Sequence, residues 1–270
     1  RQDGLNAVYV LLHSLSDPYF AQMNQAISDV PFSYGYLMLS AATEGSLELE
    51  QECLAKVRSL NPSGVLMYTA HPTVPEGWSS YLTEAPMLFL SGNRLVGEKK
   101  NMPALSIDRR TIGAQAAAYL WETGCRNFIY LCDGPKHLDG EYWAGIQSVA
   151  ETNGGSCRLC FSSRSIEDAA RELDKVLDPS APAADCVLTQ SNLQAAGVLP
   201  ALRARGLAVP EQVSVVGWND SRFLEYLTPP LASVSIPMAK IGQKAAEIIL
   251  ANLNDGPTVL KAYVQEEIIL

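Results

Sequence analysis

Short apolar runs alternate along this chain with longer segments whose apolar residues recur about every 3.6 positions. The runs at 7–13, 64–68 and 213–216 are typical of strands buried on both faces of a parallel sheet. The longer segments have the spacing of amphipathic helices, as in the segment that carries Tyr19, Phe20, Met23 and Ile27. Regular alternation of the two patterns predicts an α/β fold with parallel sheets and helices on both faces.

The order strand–helix repeats in two successive series, which suggests two lobes of similar construction. The predicted strands are 7–13, 36–39, 64–68, 87–90, 104–107, 127–132, 156–161, 186–189, 213–216, 231–236 and 262–266. Helices are predicted after Ser16, after Ser46, and at 110–123, 141–153, 165–177, 193–205 and 238–254. Capping residues support several of these boundaries, with Asp17 and Ser165 before helices and Gly124 after one.

The stretch VPEQVSVVGWNDSRFLEYLTPPLASVSIP, from Val209 to Pro237, is the most informative part of the sequence. An apolar strand closes at Gly217 and opens into the polar tip Trp218-Asn219-Asp220. Ligands of parallel α/β sheets bind just beyond the carboxyl ends of the strands, so this tip is a candidate for ligand contact. A proline pair then breaks the chain before a second apolar strand.

This stretch resembles the LacI/GalR family of bacterial transcriptional regulators, in particular their effector-binding core. It is also similar to periplasmic sugar-binding proteins, which share that fold. The resemblance covers nearly the whole chain and implies an α/β architecture of two doubly wound parallel-sheet lobes joined by a three-segment hinge (periplasmic binding protein-like, type I). It implies an N-terminal lobe of residues 1–124 plus 237–254 and a C-terminal lobe of residues 125–236 plus 255–270.

The resemblance also implies an effector pocket between the lobes. The segment around Tyr19 and Phe20 is similar to the family segment whose aromatic residues line that pocket, although helical spacing predicts helix core equally well. Asp108 matches a position that accepts a ligand hydrogen bond, with an N-cap of the following helix as the alternative.

Three positions depart from the family pattern. Tyr142 stands where the family usually has an arginine, Ser191-Asn192 replaces an Asn-Asp pair, and Asn219 replaces an aspartate that follows the glycine-ended strand. We include Tyr142, Ser191 and Asn219 among the ligand-binding residues. Because a charged clamp is missing, the effector should be less polar than a typical sugar or be held mainly by aromatic residues. Arg164 is either a substitute cation or a solvated loop residue.

Amino-acid composition limits which binding partners and which cellular compartment suit this chain. A formal charge of −9 with scattered basic residues argues against DNA binding by this stretch itself. The six cysteines mostly fall in apolar contexts, which favours small core residues in a reducing, cytoplasmic compartment. Cys157 and Cys160 form a CxxC inside a predicted strand rather than at a helix start, where a redox pair would lie.

No apolar run reaches the roughly 20 residues of a membrane helix, and no signal peptide is visible.

Enzyme motifs are missing from the sequence. The histidines at 13, 71 and 137 match no metal-binding spacing, and neither a GxSxG elbow nor a Walker loop occurs. We therefore expect no catalysis, no cofactor and no metal, although a hydrolase whose residues assemble in space stays an alternative.

The resemblance implies that the chain senses a small molecule, a sugar or sugar-like effector, and alters the operator affinity of a DNA-binding regulator. It implies a homodimer that binds operator DNA through an N-terminal helix-turn-helix, which we expect to be absent from this stretch. A periplasmic solute-binding protein of a transporter is the alternative function.

Overall fold

The computed structural model describes residues 6–69, 85–91, 104–134, 142–177, 183–219, 222–255 and 261–264. Three residues from the sequence interpretation, His71, His137 and Asp220, lie outside these ranges.

The chain divides into two compact units. The first comprises Arg1–Asp108 and Pro237–Gln265, and the second comprises Arg109–Ile236 and Glu266–Leu270.

The first unit contains a six-stranded sheet and three described helices. Its strands are β1 (Ala7–Leu12), β2 (Leu37–Ala42), β3 (Gly64–Tyr68), β4 (Met87–Ser91), β5 (Ala104–Ile107) and β11 (Lys261–Val264). Its helices are α1 (Pro18–Ser33), α2 (Leu47–Ser59) and α7 (Met238–Asp255). The strand order is β11-β5-β4-β3-β1-β2.

The second unit contains a five-stranded sheet. Its strands are β6 (Asn127–Cys132), β7 (Ser156–Phe161), β8 (Cys186–Thr189), β9 (Ser214–Trp218) and β10 (Ala232–Val234). Its helices are α3 (Arg109–Glu122), α4 (Tyr142–Thr152), α5 (Ile166–Val176) and α6 (Asn192–Ala204), with a 3₁₀ helix at Arg222–Tyr226. The strand order is β10-β9-β8-β6-β7.

Every strand pair in both sheets is parallel. Both sheets are also covered on both faces, because successive strand residues are buried on opposite sides. In the first sheet, Leu11 packs with Leu54 and Val57 of α2, whereas Gly64 faces Ile249 of α7. The predicted α/β fold with two doubly wound parallel sheets is therefore confirmed.

The division of the chain differs from the expected lobes at two places. The first crossing falls between Asp108 and Arg109 rather than near residue 124, so α3 belongs to the second unit. The last strand, expected in the C-terminal lobe, instead pairs with β5 of the first sheet, with Lys261 opposite Ala104. Sequence periodicity identifies a strand or helix but carries no information about which sheet or helix it packs against.

Two glycines explain why α3 packs in the second unit. A Cβ on Gly113 would overlap the Tyr142 carbonyl oxygen and lie 2.8 Å from the Tyr142 Cα. A Cβ on Gly145 would overlap the Arg110 carbonyl oxygen and lie 2.6 Å from the Ala114 nitrogen. The backbones of α3 and α4 therefore touch, and this contact holds Tyr142 at the start of α4.

The cysteines are all free thiols. Four are buried and two, Cys53 and Cys157, are half-buried. The CxxC pair lies in β7, as expected, and Cys160 packs in the apolar core of the second unit. Burial raises the pKa of Cys160 to about 12, whereas a hydrogen bond with Cys186 is the main cause that lowers the pKa of Cys125 to about 7. Cys160 is thus a neutral core residue at physiological pH.

In the part of the chain that the structure describes, no helix is both long and apolar enough to cross a lipid bilayer.

Replacement of Gly145 by Ala tests the helix contact. Because the new methyl group would overlap backbone atoms of α3, we expect the free energy of unfolding to fall by about 1–3 kcal/mol. Urea unfolding followed by circular dichroism measures this change. Ser148→Ala, at an exposed position on the same helix, is the control and should change stability by no more than about 0.5 kcal/mol. Equal effects of the two substitutions would contradict a close backbone contact at Gly145.

Candidate functional site

Each sheet has one position where the strand order reverses. In the first sheet β1 lies between β2 and β3, and in the second sheet β6 lies between β7 and β8. At such a position the connections leave in opposite directions and open a crevice beyond the carboxyl ends of the strands, where ligands of α/β sheets bind. These two carboxyl edges, one in each unit, are therefore the places to look for functional side chains.

Four aromatic residues gather at the reversal point of the first sheet, and we call them the first aromatic cluster: His13, Tyr19, Phe20 and Tyr68. The Phe20 ring stacks on His13 at 5.6 Å and meets Tyr68 edge-on at 4.8 Å. Tyr19 meets Phe20 edge-on at 4.9 Å. Tyr19 and Phe20 are 6% and 3% exposed, so they are core residues and also members of this cluster.

The N-terminus of α1 holds this cluster in place. Asp17 is the N-cap, and its side chain accepts a hydrogen bond of 2.9 Å from the Tyr19 backbone nitrogen. Pro18 occupies the first turn, where its missing N–H needs no partner. The local sequence Asp17-Pro18 thus starts the helix just before the two aromatic residues and directs them toward the ends of β1 and β3.

Gly45 leaves the space that His13 occupies. Its φ is +65°, and a Cβ on it would overlap the imidazole ring, with the His13 Nδ1 at 2.8 Å. Hydrogen bonds fix the surrounding loop, because the Glu44 nitrogen donates to the His13 carbonyl oxygen at 2.8 Å and Thr43 Oγ1 donates to the Leu12 carbonyl oxygen at 3.1 Å. Glycine at this position thus allows the imidazole to lie flat against Phe20.

One buried carboxylate lies near the same edge. Glu50, in the first turn of α2, is fully buried and accepts a hydrogen bond of 3.1 Å from Thr69 Oγ1, directly after β3. Asp108 lies further along the edge, after β5, which β4 separates from β3. Asp108 is exposed and directly precedes α3, and its role as a ligand acceptor or helix cap stays a prediction.

The second unit has a second aromatic cluster: Tyr130, Tyr142, Trp143 and Trp218. Trp218 ends β9, is 1% exposed and meets Tyr142 at 4.6 Å between ring centroids. Tyr130 stacks on Trp143 at 6.4 Å, and burial raises its pKa well above the usual value, so its phenol is neutral. The Arg109 guanidinium lies over the Tyr142 ring at 5.4 Å. A cation therefore lies close to Tyr142, although the family's arginine is missing there.

Polar groups line the ends of β6, β7 and β8 in the second unit. Gln190 Oε1 accepts a hydrogen bond of 2.9 Å from the Asp133 backbone nitrogen. Arg164 Nε pairs with Asp133 Oδ2 at 2.8 Å, in a partly buried position. Arg164 therefore forms an ion pair at this edge and is not a solvated loop residue.

Ser191 has a structural role. It is the N-cap of α6 and forms a capping box with Gln194: its hydroxyl accepts from the Gln194 nitrogen at 3.3 Å, and its own nitrogen donates to Gln194 Oε1 at 3.0 Å. Gln194 Nε2 in turn donates to Ser162 Oγ at 3.0 Å. A role of Ser191 in ligand binding stays a prediction, but its hydroxyl is already used within the protein.

Three buried polar atoms at the carboxyl edge of the second sheet have no hydrogen-bond partner in the described structure: Trp218 Nε1, Asn219 Oδ1 and Asn192 Oδ1. Asn219 adopts a left-handed φ of +74°, which asparagine tolerates well. Such orphaned atoms cost about 1–3 kcal/mol each, so each of them calls for a partner such as a ligand or an ordered water.

The structure thus brings Tyr19 together with Phe20 in the first unit, and Tyr142 together with Trp218, the residue before Asn219, in the second unit. Tyr68 was not among the site residues predicted from the sequence, whereas Trp218 was part of the predicted polar tip and Asn192 belonged to the segment 190–192 expected at a strand end. Tyr68 and Trp218 are the last residues of buried strands, and that position was a usable signal. The contact of the Asn192 side chain with Gly217 is visible only in the structure.

No cluster of three or more His, Cys, Asp or Glu side chains suited to a metal ion occurs among the described residues.

Comparison with known proteins identifies relatives of the chain. Residues 117–269 match the family model described as a periplasmic binding protein-like domain. The ribose operon repressor of Bacillus subtilis (strain 168) is 27% identical over 252 residues, which span 92% of this chain and 74% of the repressor. These comparisons confirm the resemblance to the effector-binding core of the LacI/GalR family that the sequence indicated.

Solved structures share the fold. A LacI family transcriptional regulator from Silicibacter pomeroyi superimposes with a TM-score of 0.80 at 24% identity, covering 98% of this chain and 97% of that chain. A LacI family regulator from Enterococcus faecium, solved with bound ribose, gives a TM-score of 0.82 at 17% identity with the same coverage of 98% and 97%.

Replacement of Gly45 by Ala tests how the first aromatic cluster is held. We expect it to reduce stability by more than Gly35→Ala, because both glycines have positive φ but only Gly45 has a neighbour within 4 Å. The backbone cost of roughly 1–2 kcal/mol is shared, and the overlap with His13 should add about 1 kcal/mol or more. Thermal unfolding of both variants measures how much more stability Gly45→Ala loses than Gly35→Ala. The same comparison is then repeated in a His13→Ala background. If the excess survives in that background, His13 is not what Gly45 accommodates.

Proposed function

Because the chain belongs to the family of periplasmic binding protein-like domains, we propose that it is the effector-sensing core of a LacI/GalR-type transcriptional regulator. The effector is a sugar or sugar-like small molecule. One observation carries this proposal: aromatic clusters and orphaned buried polar atoms gather at the sheet edges where α/β proteins bind ligands.

The chemistry of these edges suits a carbohydrate. Aromatic rings cover the apolar faces of a sugar, while neutral hydrogen-bonding groups meet its hydroxyls. Trp218 supplies a ring and an N–H donor, and Asn219 supplies an amide next to it. A regulator with bound ribose shares the fold, which supports a sugar as the first ligand to test.

Relatives support a regulator over the alternatives. The ribose operon repressor is matched over about three quarters of its length, 74%, and is a repressor rather than a transporter component or a hydrolase. We therefore assign no catalysis to the chain, and we place its action in the cytoplasm, where operator DNA is found.

Signalling would follow from a shift between two states of the protein. An effector changes operator affinity only to the extent that it binds one state more tightly than the other. The regulator would act as a homodimer that binds operator DNA through a separate helix-turn-helix. Exposed apolar residues on and beside the edge strand β2 offer a surface for a second copy: Phe32, Tyr34, Leu37 and Leu39.

The coding sequence upstream of Arg1 tests the regulatory half of the proposal. We expect it to encode a helix-turn-helix, which is the segment that would contact operator DNA. Sequencing of the gene is the measurement. A secretory signal at that place would instead support a solute-binding protein and contradict the proposal.

Sugar binding and its dependence on Asn219 test the sensing half. We expect at least one of ribose, lactose and cellobiose, the sugars bound in solved regulators of this fold, to raise the unfolding temperature, because a ligand that binds the native state stabilises it by mass action. Asn219→Gly keeps the left-handed backbone but removes the amide, so the affinity measured by calorimetry should fall about tenfold.

Asn61→Gly is the matched control for that variant. Asn61 also has a positive φ, +50°, but it precedes β3 at the amino-terminal edge of the first sheet. Its replacement should leave the affinity for sugar unchanged. Absence of binding by all three sugars would contradict sugar sensing, and equal affinity of the Asn219→Gly variant and the parent would contradict the placement of the site.

A further inference from the structure

Two cysteines of the second unit meet at the amino-terminal edge of its sheet. Cys125 lies between α3 and β6, and Cys186 is the first residue of β8. Cys125 Sγ lies 3.9 Å from the Asp185 carbonyl oxygen, which belongs to the peptide group that joins Asp185 to Cys186. The two thiols also share a hydrogen bond with each other. Their sulfur atoms are therefore neighbours although the residues are far apart in the sequence.

Backbone contacts hold Cys125 in this place from both sides. Its nitrogen donates to the Leu120 carbonyl oxygen at 3.0 Å, which ties it to the last turn of α3. The next residue, Arg126, donates its backbone nitrogen to the Asp185 carboxylate at 2.9 Å. The end of α3 and the start of β8 thus fix the positions of the two thiols.

Neighbouring cysteines in the same sheet are not arranged in this way. Phe128 is paired in register with Cys157 on one side and with Cys186 on the other, so the Cα atoms of these cysteines are two strand spacings apart, about 9–10 Å. A disulfide needs a Cα separation below about 7 Å. Cys160 is paired with the residue before Cys132, so those two side chains point to opposite faces of the sheet.

The two thiols differ in acidity. The hydrogen bond from Cys186 lowers the pKa of Cys125 to about 7, against burial and the charge of Asp185, which raise it. Hydroxyl groups of Ser214 and Thr123 also stabilise the Cys125 thiolate. The same hydrogen bond, together with burial, raises the pKa of Cys186 well above its usual value. Near neutral pH, Cys125 therefore supplies the nucleophilic thiolate and Cys186 keeps its proton.

Solvent lies close to one member of the pair. Cys125 is 5% exposed, but both of its chain neighbours, Gly124 and Arg126, are exposed. Cys186 is fully buried beneath it. An oxidant of about the size of a water molecule therefore meets Cys125 before Cys186.

We propose that Cys125 and Cys186 form a redox-sensitive thiol pair, which hydrogen peroxide converts into a disulfide that joins the end of α3 to β8. The Cys125 thiolate attacks one peroxide oxygen, the O–O bond breaks, and a sulfenic acid and hydroxide form. The Cys186 sulfur then attacks the sulfenic sulfur, and the S–O bond breaks as the leaving oxygen takes the Cys186 proton and departs as water. The two sulfurs together lose two electrons and the two peroxide oxygens gain them. A reducing thiol such as glutathione reverses the step by exchange.

Hydrogen peroxide treatment of the reduced, folded chain tests the pair directly. Free thiols are then alkylated and the protein is digested with trypsin, which cleaves after Lys and Arg and leaves each of the six cysteines on a separate peptide. By mass spectrometry, we expect the main disulfide-linked product to join the peptide with Cys125 to the peptide with Cys186. The same treatment in urea should lose this preference, because the fold no longer holds the two thiols together.

Thermal unfolding provides a second measurement on the same sample. The oxidised chain should unfold about 5 °C or more above the reduced chain, because the disulfide closes a loop of roughly 60 residues and restricts the unfolded chain. Dithiothreitol should remove the difference.

Single substitutions separate the roles of the two thiols. Cys186→Ala leaves no second thiol to form the disulfide, so a sulfenic acid at Cys125 should accumulate and react with dimedone. The oxidation rate should rise with pH and reach half its maximum near pH 7 in the parent, but at a higher pH in Cys186→Ala, which lacks the hydrogen bond that stabilises the thiolate. Cys157→Ala is the matched control and should leave the disulfide unchanged, because burial raises the pKa of Cys157 to about 12.

Other results overturn the thiol pair. A folded chain whose cysteines all remain open to alkylation after peroxide, or one linked mainly through another pair, contradicts it. A Cys125–Cys186 disulfide that lowers the unfolding temperature also contradicts it, because the folded positions of the sulfurs would then not suit the bond. An unchanged pH midpoint in Cys186→Ala overturns the activating role of Cys186. None of these results affects the proposed sensing function, which the sugar titrations test separately.

Discussion

The strands of both sheets pair in parallel, and this pairing positions the functional side chains of each unit. A parallel strand returns only through a crossover, so all the strands of one sheet end at the same edge. Residues that are far apart in sequence but lie at strand ends therefore come together, as His13 after β1 and Tyr68 at the end of β3 do on either side of Phe20. The same constraint brings Asp133, Arg164 and Gln190 together in the second unit. Both candidate edges exist because the sheets are parallel.

Glycines then decide which side chains can approach these edges. Gly45 leaves room for an imidazole, Gly113 and Gly145 allow two helix backbones to touch, and Gly217 leaves room for an amide oxygen. In all of these places a methyl group would meet a neighbouring atom. The aromatic and amide groups of the edges thus depend on positions that carry no side chain of their own, which links backbone packing directly to ligand chemistry.

Within the described part of the second unit, some buried polar atoms have no hydrogen-bond partner, whereas neighbouring groups at the same edge are paired. At the cap of α6, Ser191 and Gln194 hydrogen-bond to each other and Gln194 also donates to Ser162. One residue further, Asn192 Oδ1 has no partner among the residues that the structure describes, and neither has Trp218 Nε1. A protein that senses a ligand gains from this arrangement, because the stability missing from the free state is restored when the ligand binds.

The α/β class, the alternation of strands and helices and the bounds of β7 could all be predicted from the amino-acid sequence alone. These follow from local periodicity and capping, which are readable without knowledge of distant contacts. Tertiary structure alone decided that α3 packs on α4 in the second unit, and that β11 joins β5. It also decided that Ser191 caps a helix while Asn192 meets Gly217. These features depend on residues that are distant in sequence, such as Gly113 with Tyr142, and no local pattern encodes which of them will meet.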